Sequence, residues 1–178
     1  PFLGGTERIT DTLCREFRKR CLCRCYLAYY EGIDSLYKKT VFDGRLCLGS
    51  RKNVALLIDY IVKKDIDVVL LQGQLGLAKG IRQAIGKKIK IIFAHHLYPG
   101  VEREDVSWSN SVLKCWKSRG LMANMLRLTA YPILKVKHLY ALPLKYKDTY
   151  DYSDKVVLLS SELIQPFTAF GHIKDTDK

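Results

Sequence analysis

Apolar residues along the chain alternate between helical spacing and short continuous runs, a pattern typical of a parallel sheet with crossover helices. Helical spacing predicts helices over residues 6–20, 52–64 and 75–84. Short apolar runs predict strands at 23–30, 45–48, 67–73, 90–94 and 156–159. The pattern therefore predicts an α/β fold, a Rossmann-like parallel sheet with helices on both faces, in a single domain spanning residues 1–178.

The pattern also predicts which faces of these elements are buried. In the first helix Ile9, Leu13 and Phe17 recur every four residues. In the second, the inner positions are Val54, Leu57, Ile58 and Ile61. The run at 67–73 contains four consecutive apolar residues, which predicts a strand buried on both faces. A short helix is expected after Ser160, Ser161 and Glu162, with Pro166 limiting it.

The longest irregular stretch lies between the last two predicted strands, and it is strongly basic. Residues 111–150 carry eight Lys or Arg and one acid, Asp148, and Pro132 is expected to divide them into two helices. This stretch reads either as a basic amphipathic surface for an anionic membrane or as a helical pair with a solvated basic face. For the first reading, the residues expected to bind membrane or acceptor are Lys114, Lys117, Arg119 and Arg127.

Charge and composition restrict the partner and the protein class. The chain has 178 residues, 48% of them hydrophobic, and a formal net charge of +12, which excludes a disordered chain and predicts a partner carrying phosphate or another acidic group. No run of about 18 apolar residues and no export signal is present. The expected location is therefore the cytoplasm, with peripheral binding at the inner face of the membrane if the basic surface binds lipid.

Three of the six cysteines, Cys21, Cys23 and Cys25, alternate with other residues in a predicted strand. Alternation would place them on one face with sulfurs spread about 6–7 Å apart, whereas zinc sites prefer two ligands converging across a turn. Reduced, partly buried cysteines are therefore expected rather than a metal site.

Small and polar residues follow the predicted strands, where parallel sheets hold their ligands. Gly4, Gly5, Thr6 and Glu7 open the first helix, where backbone amides can meet an anion or where the chain simply turns. Gln72, His95, His96, Ser160, Ser161 and Glu162 end or follow later strands. A histidine there can bind a sugar hydroxyl or phosphate, or exchange a proton, although a structural hydrogen bond to the backbone is the plainer reading.

Four segments together, PFLGGTERIT, DVVLLQG, KIIFAHHLYPG and YDYSDKVVLLSSE, resemble the N-terminal half of a bacterial family 4 (group 1) glycosyltransferase of the GT-B fold. The resemblance implies a retaining transferase whose N-terminal domain binds a polysaccharide or polyprenyl-linked acceptor, with a nucleotide-diphosphate sugar as donor. It implies no metal or other cofactor. It assigns Gly4 and Gly5 to the loop near the donor diphosphate, and His96, with His95 as the neighbouring alternative, to the residue facing the transferred sugar.

Two departures from the family pattern carry expectations of their own. The donor-binding domain lies outside these 178 residues, so the chain alone is expected to be inactive. The central strand that precedes the glycine pair in the family is expected to be missing.

Two other functions compete with this reading. Charge alone favours a non-catalytic, basic Rossmann-like module that binds a nucleotide or nucleic acid, but no nucleic-acid motif is present and nucleic acid is not the expected partner. The other is a sugar-nucleotide epimerase or dehydrogenase, which could use Glu31 to bind ribose.

Overall fold

The computed structural model describes residues 5–21, 23–30, 42–49, 53–101 and 121–174. The chain is an α/β protein with parallel strands flanked by helices, which confirms the predicted Rossmann-like class. It contains two compact units, Pro1–Val69 with Gly80–Ile89, and Leu70–Lys79 with Lys90–Lys178. The expectation of a missing strand before the glycine pair concerns residues 1–4, which lie outside the described part of the chain.

The first unit contains helix α1 (Gly5–Cys21), strands β1 (Tyr26–Tyr29) and β2 (Gly44–Cys47), and helix α2 (Val54–Lys63). The two strands pair in parallel, with Tyr26 opposite Gly44. Helix α2 buries Leu57 and Ile61, as its spacing predicted. These two residues fall one turn apart, so their side chains form a single packed row.

The buried face of α1 differs from the prediction. Ile9 and Phe17 are 40% and 45% exposed, whereas Cys14 is buried. Ile9, Leu13 and Phe17 do fall within an arc of about 80° on one side of the helix, but that side is not the one that packs against the described residues. Cys14 therefore marks the packed side of this helix.

The second unit takes the last residues of strand β3 (Val68–Gln72) and adds β4 (Lys90–His95) and β5 (Lys155–Leu158) in the order β3-β4-β5. β4 and β5 run parallel, with Ile92 opposite Lys155 and His95 opposite Leu158. The prediction that β3 is buried on both faces is wrong: Val68 is exposed and only Leu71 is fully buried. β3 is the first strand in the described order of this sheet.

Three further helices are described, and the first of them is divided between the two units at Lys79 and Gly80. Helix α3 (Leu77–Ile85) follows β3, α4 (Leu121–Tyr152) precedes β5, and α5 (Ile164–Phe170) follows a single 3₁₀ turn at Ser161–Leu163. None of the described helices combines the length and hydropathy that a membrane-spanning segment requires.

Prolines end neither of the last two helices, contrary to prediction. Helix α4 continues through Pro132 and Pro143 for 32 residues. A proline removes one backbone donor, and here the helix is held beyond it by Leu142 and Tyr146, which are buried. Pro166 is the third residue of α5, where backbone N–H groups have no acceptor within the helix, so it does not limit the helix.

The core of the second unit is built on one face of β4. Ile91, Phe93 and His95 alternate along the strand, and each is at most 1% exposed. The ring of Phe167 from α5 packs against this row, with its centroid 6.5 Å from that of Phe93. Period-two alternation thus carries the hydrophobic row into the last residue of the strand.

A reciprocal pair of hydrogen bonds fixes the start of β4 beside the turn that leads into β5. The Ile91 N–H donates to Oδ2 of Asp154 over 2.7 Å, and the Asp154 N–H donates to the Ile91 carbonyl over 2.8 Å. Because both peptide groups are satisfied here, Asp154 sets where the pairing of β4 with β5 begins.

Candidate functional site

Three of the predicted site segments lie at one edge of the β3-β4-β5 sheet. Gln72 is the last residue of β3, and His95 is the last residue of β4, with His96 directly after it. Ser160 follows the end of β5 by two positions. Because all three strands run in the same direction, their carboxyl ends share an edge, and the predicted residues of this unit gather there.

His95 is a core residue. Its ring stacks on Phe93 with centroids 5.7 Å apart, and it meets Tyr146 edge-on at 5.4 Å. Its Nε2 lies 3.2 Å from the Tyr146 hydroxyl, while the Gly100 N–H donates to that same hydroxyl over 3.1 Å. Aromatic packing and a side-chain hydrogen bond hold this imidazole in the core. Its contacts therefore stabilise the end of β4.

His96 occupies a different environment, although it is the next residue. The side chain is partly exposed, yet both ring nitrogens are shielded from solvent, and the described residues offer neither one a hydrogen-bond partner. Buried polar atoms in proteins are nearly always paired, because an unpaired one loses its hydration without compensation. His96 therefore differs from His95 in having no hydrogen bond from either ring nitrogen to the described residues.

The loop after β3 is fixed to α4, which positions this side of the edge. The Gly76 N–H donates to Oγ1 of Thr149 over 2.9 Å, and Thr149 is completely buried. Nζ of Lys79 lies 3.1 Å from each carboxylate oxygen of Asp148. These bonds join residues about seventy positions apart and restrain the loop that follows Gln72.

A small pocket lies beside the edge, between β5 and α5. Its volume is about 190 Å³. Val156, Leu158, Ile164 and Phe167 supply apolar walls, and hydroxyl-bearing residues complete the lining, namely Tyr150, Ser160, Ser161 and Thr168. Pockets for drug-sized ligands usually measure roughly 300–1,000 Å³, so this one suits a single ring or a short polar group.

Phe167 separates the pocket from the buried histidine. It lines the pocket, and its ring centroid lies 5.7 Å from that of His95. Ser160 already accepts a hydrogen bond from the Glu162 N–H, which leaves its own O–H able to donate. Glu162 is exposed beside it. The pocket therefore brings Ser160 and Ser161 into one lining without His95.

The other predicted site residues fall elsewhere in the chain. Gly5, Thr6 and Glu7 form the first turn of α1 in the first unit. Gly4, Lys114, Lys117 and Arg119 lie outside the described residues, and for Arg127 only the backbone, within α4, is described. The basic surface expected at these four cations stays a prediction.

The prediction that Cys21, Cys23 and Cys25 share one face of a strand is wrong. Cys21 ends α1, and Cys23 and Cys25 precede β1. The Sγ atoms of Cys23 and Cys25 lie 3.9 Å apart. Burial, together with neighbouring Cys14 and Cys23, raises the pKa of Cys25 to about 12. Among the described residues no group of three or more His, Cys, Asp or Glu could hold a metal ion.

Tyr146, Thr149 and Tyr150 belong to the site's support, and the prediction did not include them. Their buried side chains follow Leu142 at helical spacing, which the sequence displays within the basic stretch. The lysines on either side of these residues obscured that row.

Comparisons with protein-family models, with curated proteins and with solved structures give no match for this chain.

Proposed function

We propose that this chain is the acceptor-binding domain of a retaining glycosyltransferase, which moves a sugar from a nucleotide-diphosphate sugar to a polysaccharide or lipid-linked oligosaccharide. The observation that carries the proposal is the state of His96, whose two shielded ring nitrogens stand without partners among the described residues at the end of β4. A neutral imidazole has one donor and one acceptor nitrogen. A sugar, with neighbouring hydroxyls that both donate and accept, satisfies both.

The pocket beside β5 supports the same ligand class. Sugar rings have an apolar face of C–H groups and a rim of hydroxyls, and the pocket offers apolar walls with Ser160 and Thr168 among its hydroxyls. Its volume of about 190 Å³ suits one sugar unit better than a whole nucleotide sugar. The donor would accordingly be held by the second domain that the family resemblance implies.

In the proposed reaction, the bond between the anomeric carbon and the diphosphate oxygen breaks, and a new bond forms to an acceptor hydroxyl oxygen. The acceptor proton passes to the departing diphosphate. His96 would hydrogen-bond a hydroxyl of the transferred sugar and so fix the orientation of that sugar. Correct orientation of the reacting groups lowers the barrier to sugar transfer. His95, buried against Tyr146, would hold the strand end that carries His96.

Acceptor binding can be tested with the chain itself by saturation-transfer NMR. We expect signals from saccharides and lipid-linked oligosaccharides that weaken in Ser161→Ala, because Ser161 lines the pocket. Val62→Ser is the matched control, because Val62 is exposed on α2 in the first unit. If saccharides give no transfer while RNA binds with a steep salt dependence, the chain is instead a basic nucleic-acid module and the transferase proposal fails.

Turnover tests the role of His96 in the full-length protein. We expect His96→Ala to lower the rate of sugar transfer by about tenfold or more, as loss of one oriented contact in a transition state commonly does. The melting temperature should change little, because the side chain is partly exposed. Unchanged turnover in a folded variant would remove His96 from the site.

A further inference from the structure

Helix α4 exposes a set of large apolar side chains along its middle. Their exposed fractions lie between 53% and 75%, which is unusual for residues of this size in a helix that also reaches the core. They are Met125, Ile133, Val136, Tyr140 and Leu144. We call these five residues the outer stripe.

Ile133, Val136, Tyr140 and Leu144 follow one another at three or four positions, and Met125 lies two turns earlier on the same side of the helix. At about 100° per residue the five members of the outer stripe fall within an arc of about 100°, and they extend along about 28 Å of the helix axis. An arc of that width is the apolar face of an amphipathic helix. Contiguous exposed apolar surface of this kind marks a place where a partner binds.

The same helix packs on the core of the second unit with a different face. Leu142, Tyr146, Thr149 and Tyr150 are all buried, and they centre more than about 100° around the helix from the outer stripe. This buried row supplies the contacts between α4 and the core. The outer stripe is not part of that packing.

Charge around the stripe identifies the chemistry of the partner. Residues 111–147 contain eight Lys or Arg and no Asp or Glu. Lys135 and Lys145 are exposed on α4 itself. The two acids that end the helix are engaged within the protein, Asp148 by Lys79 and Asp151 by Lys147. An apolar row in a purely basic setting matches a surface with anionic headgroups over hydrocarbon.

We propose that the outer stripe of α4 lies in the headgroup region of an anionic lipid bilayer, with the helix parallel to the membrane plane. None of the described helices is long and apolar enough to cross the bilayer, which leaves the in-plane arrangement. Tyr140, the most exposed member of the stripe, has the amphipathic ring that favours the interface between water and lipid. Neighbouring lysines can extend their charged ends toward the headgroups. The proposal does not depend on sugar transfer.

Vesicle flotation with the full chain provides the test. We expect binding to vesicles of phosphatidylglycerol and phosphatidylcholine in equal parts, and little binding to phosphatidylcholine alone. The double variant Ile133→Ser with Tyr140→Ser should lose at least about tenfold in affinity, because each side chain gives up burial in the bilayer without any change in charge. Leu56→Ser with Val62→Ser, two exposed positions on α2, should bind as the parent does.

A tryptophan at position 140 reports the depth of the stripe directly. We expect Tyr140→Trp to gain a blue-shifted emission component on vesicles, relative to the parent with its two tryptophans, and quenching by brominated lipid. Circular dichroism of every variant verifies the fold. The proposal is overturned if the parent does not bind anionic vesicles. It is equally overturned if the stripe variant binds as well as the parent, because the attraction would then be electrostatic alone, as for nucleic acid.

Discussion

The hydroxyl oxygen of Tyr146, in helix α4, lies 3.2 Å from Nε2 of His95, at the end of strand β4. That oxygen also accepts a hydrogen bond from the Gly100 N–H over 3.1 Å. Both side chains are almost completely buried, so the contact is protected from water. One phenol thus connects a helix, the last residue of a strand and the turn after it, one residue before His96 in the chain.

Replacing Tyr146 with phenylalanine should lower the free energy of unfolding by about 1–3 kcal/mol. The ring packing survives, but the hydroxyl is lost to both His95 and Gly100 in a buried setting, where an unmade hydrogen bond is costly. Urea denaturation measures the change. The control is Tyr140→Phe on the same helix, where an exposed hydroxyl should matter by less than about 0.5 kcal/mol. Equal effects would show that the buried hydroxyl does not support the fold.

Asp154→Ala should destabilise the second unit by about 1–3 kcal/mol. The substitution removes the carboxylate that accepts the Ile91 N–H over 2.7 Å at the start of β4. Asp151→Ala is the matched control, since it removes an exposed ion pair with Lys147, worth less than about 1 kcal/mol. In Asp154→Ala, hydrogen exchange should show reduced amide protection in β4 and β5. Reduced protection spread evenly over the chain would contradict a local role.

Strand β4 shows how far the sequence predicts the site. Its apolar run predicted the strand. The same run predicted that both histidines lie at the carboxyl edge of the sheet. The run from Ile91 to Ala94 is apolar at every position, so the sequence alone does not indicate that His95 faces inward. The partner of His95 could not be predicted in this way, because Tyr146 lies 51 positions away and only tertiary packing joins them.

Helix α4 shows where local rules fail. Pro132 is a strong helix breaker in isolation, and its presence predicted two helices. The observed helix continues because residues further along it are buried in the core. This packing stabilises the helix, and a local sequence pattern does not indicate it. The resemblance to a glycosyltransferase likewise stays a prediction, since strand edges of this type serve many chemistries.

Gly100→Ala should destabilise the protein more than Gly73→Ala. Both glycines have positive φ, +90° and +65°, so each alanine carries a backbone strain of about 1–2 kcal/mol. At Gly100 a new Cβ would also lie 2.7 Å from Cε2 of Phe170, whereas at Gly73 it would meet nothing within 4 Å. The difference between the variants, about 1–3 kcal/mol by thermal or urea unfolding, isolates the clash with Phe170. No difference would mean that the Phe170 ring moves aside freely.

Stability should fall as the pH rises from about 9 toward 12, and Cys25 should account for much of the change. Burial raises the pKa of the Cys25 thiol to about 12, from an ordinary value of 9.0. In this window the unfolded chain releases the thiol proton while the folded chain keeps it, so the unfolded state is favoured increasingly with pH. Unfolding in urea at several pH values measures the slope, which should be shallower in Cys25→Ala. Cys47→Ala, which removes an exposed thiol, is the matched control variant. A slope that Cys25→Ala does not alter would assign the pH dependence to other groups.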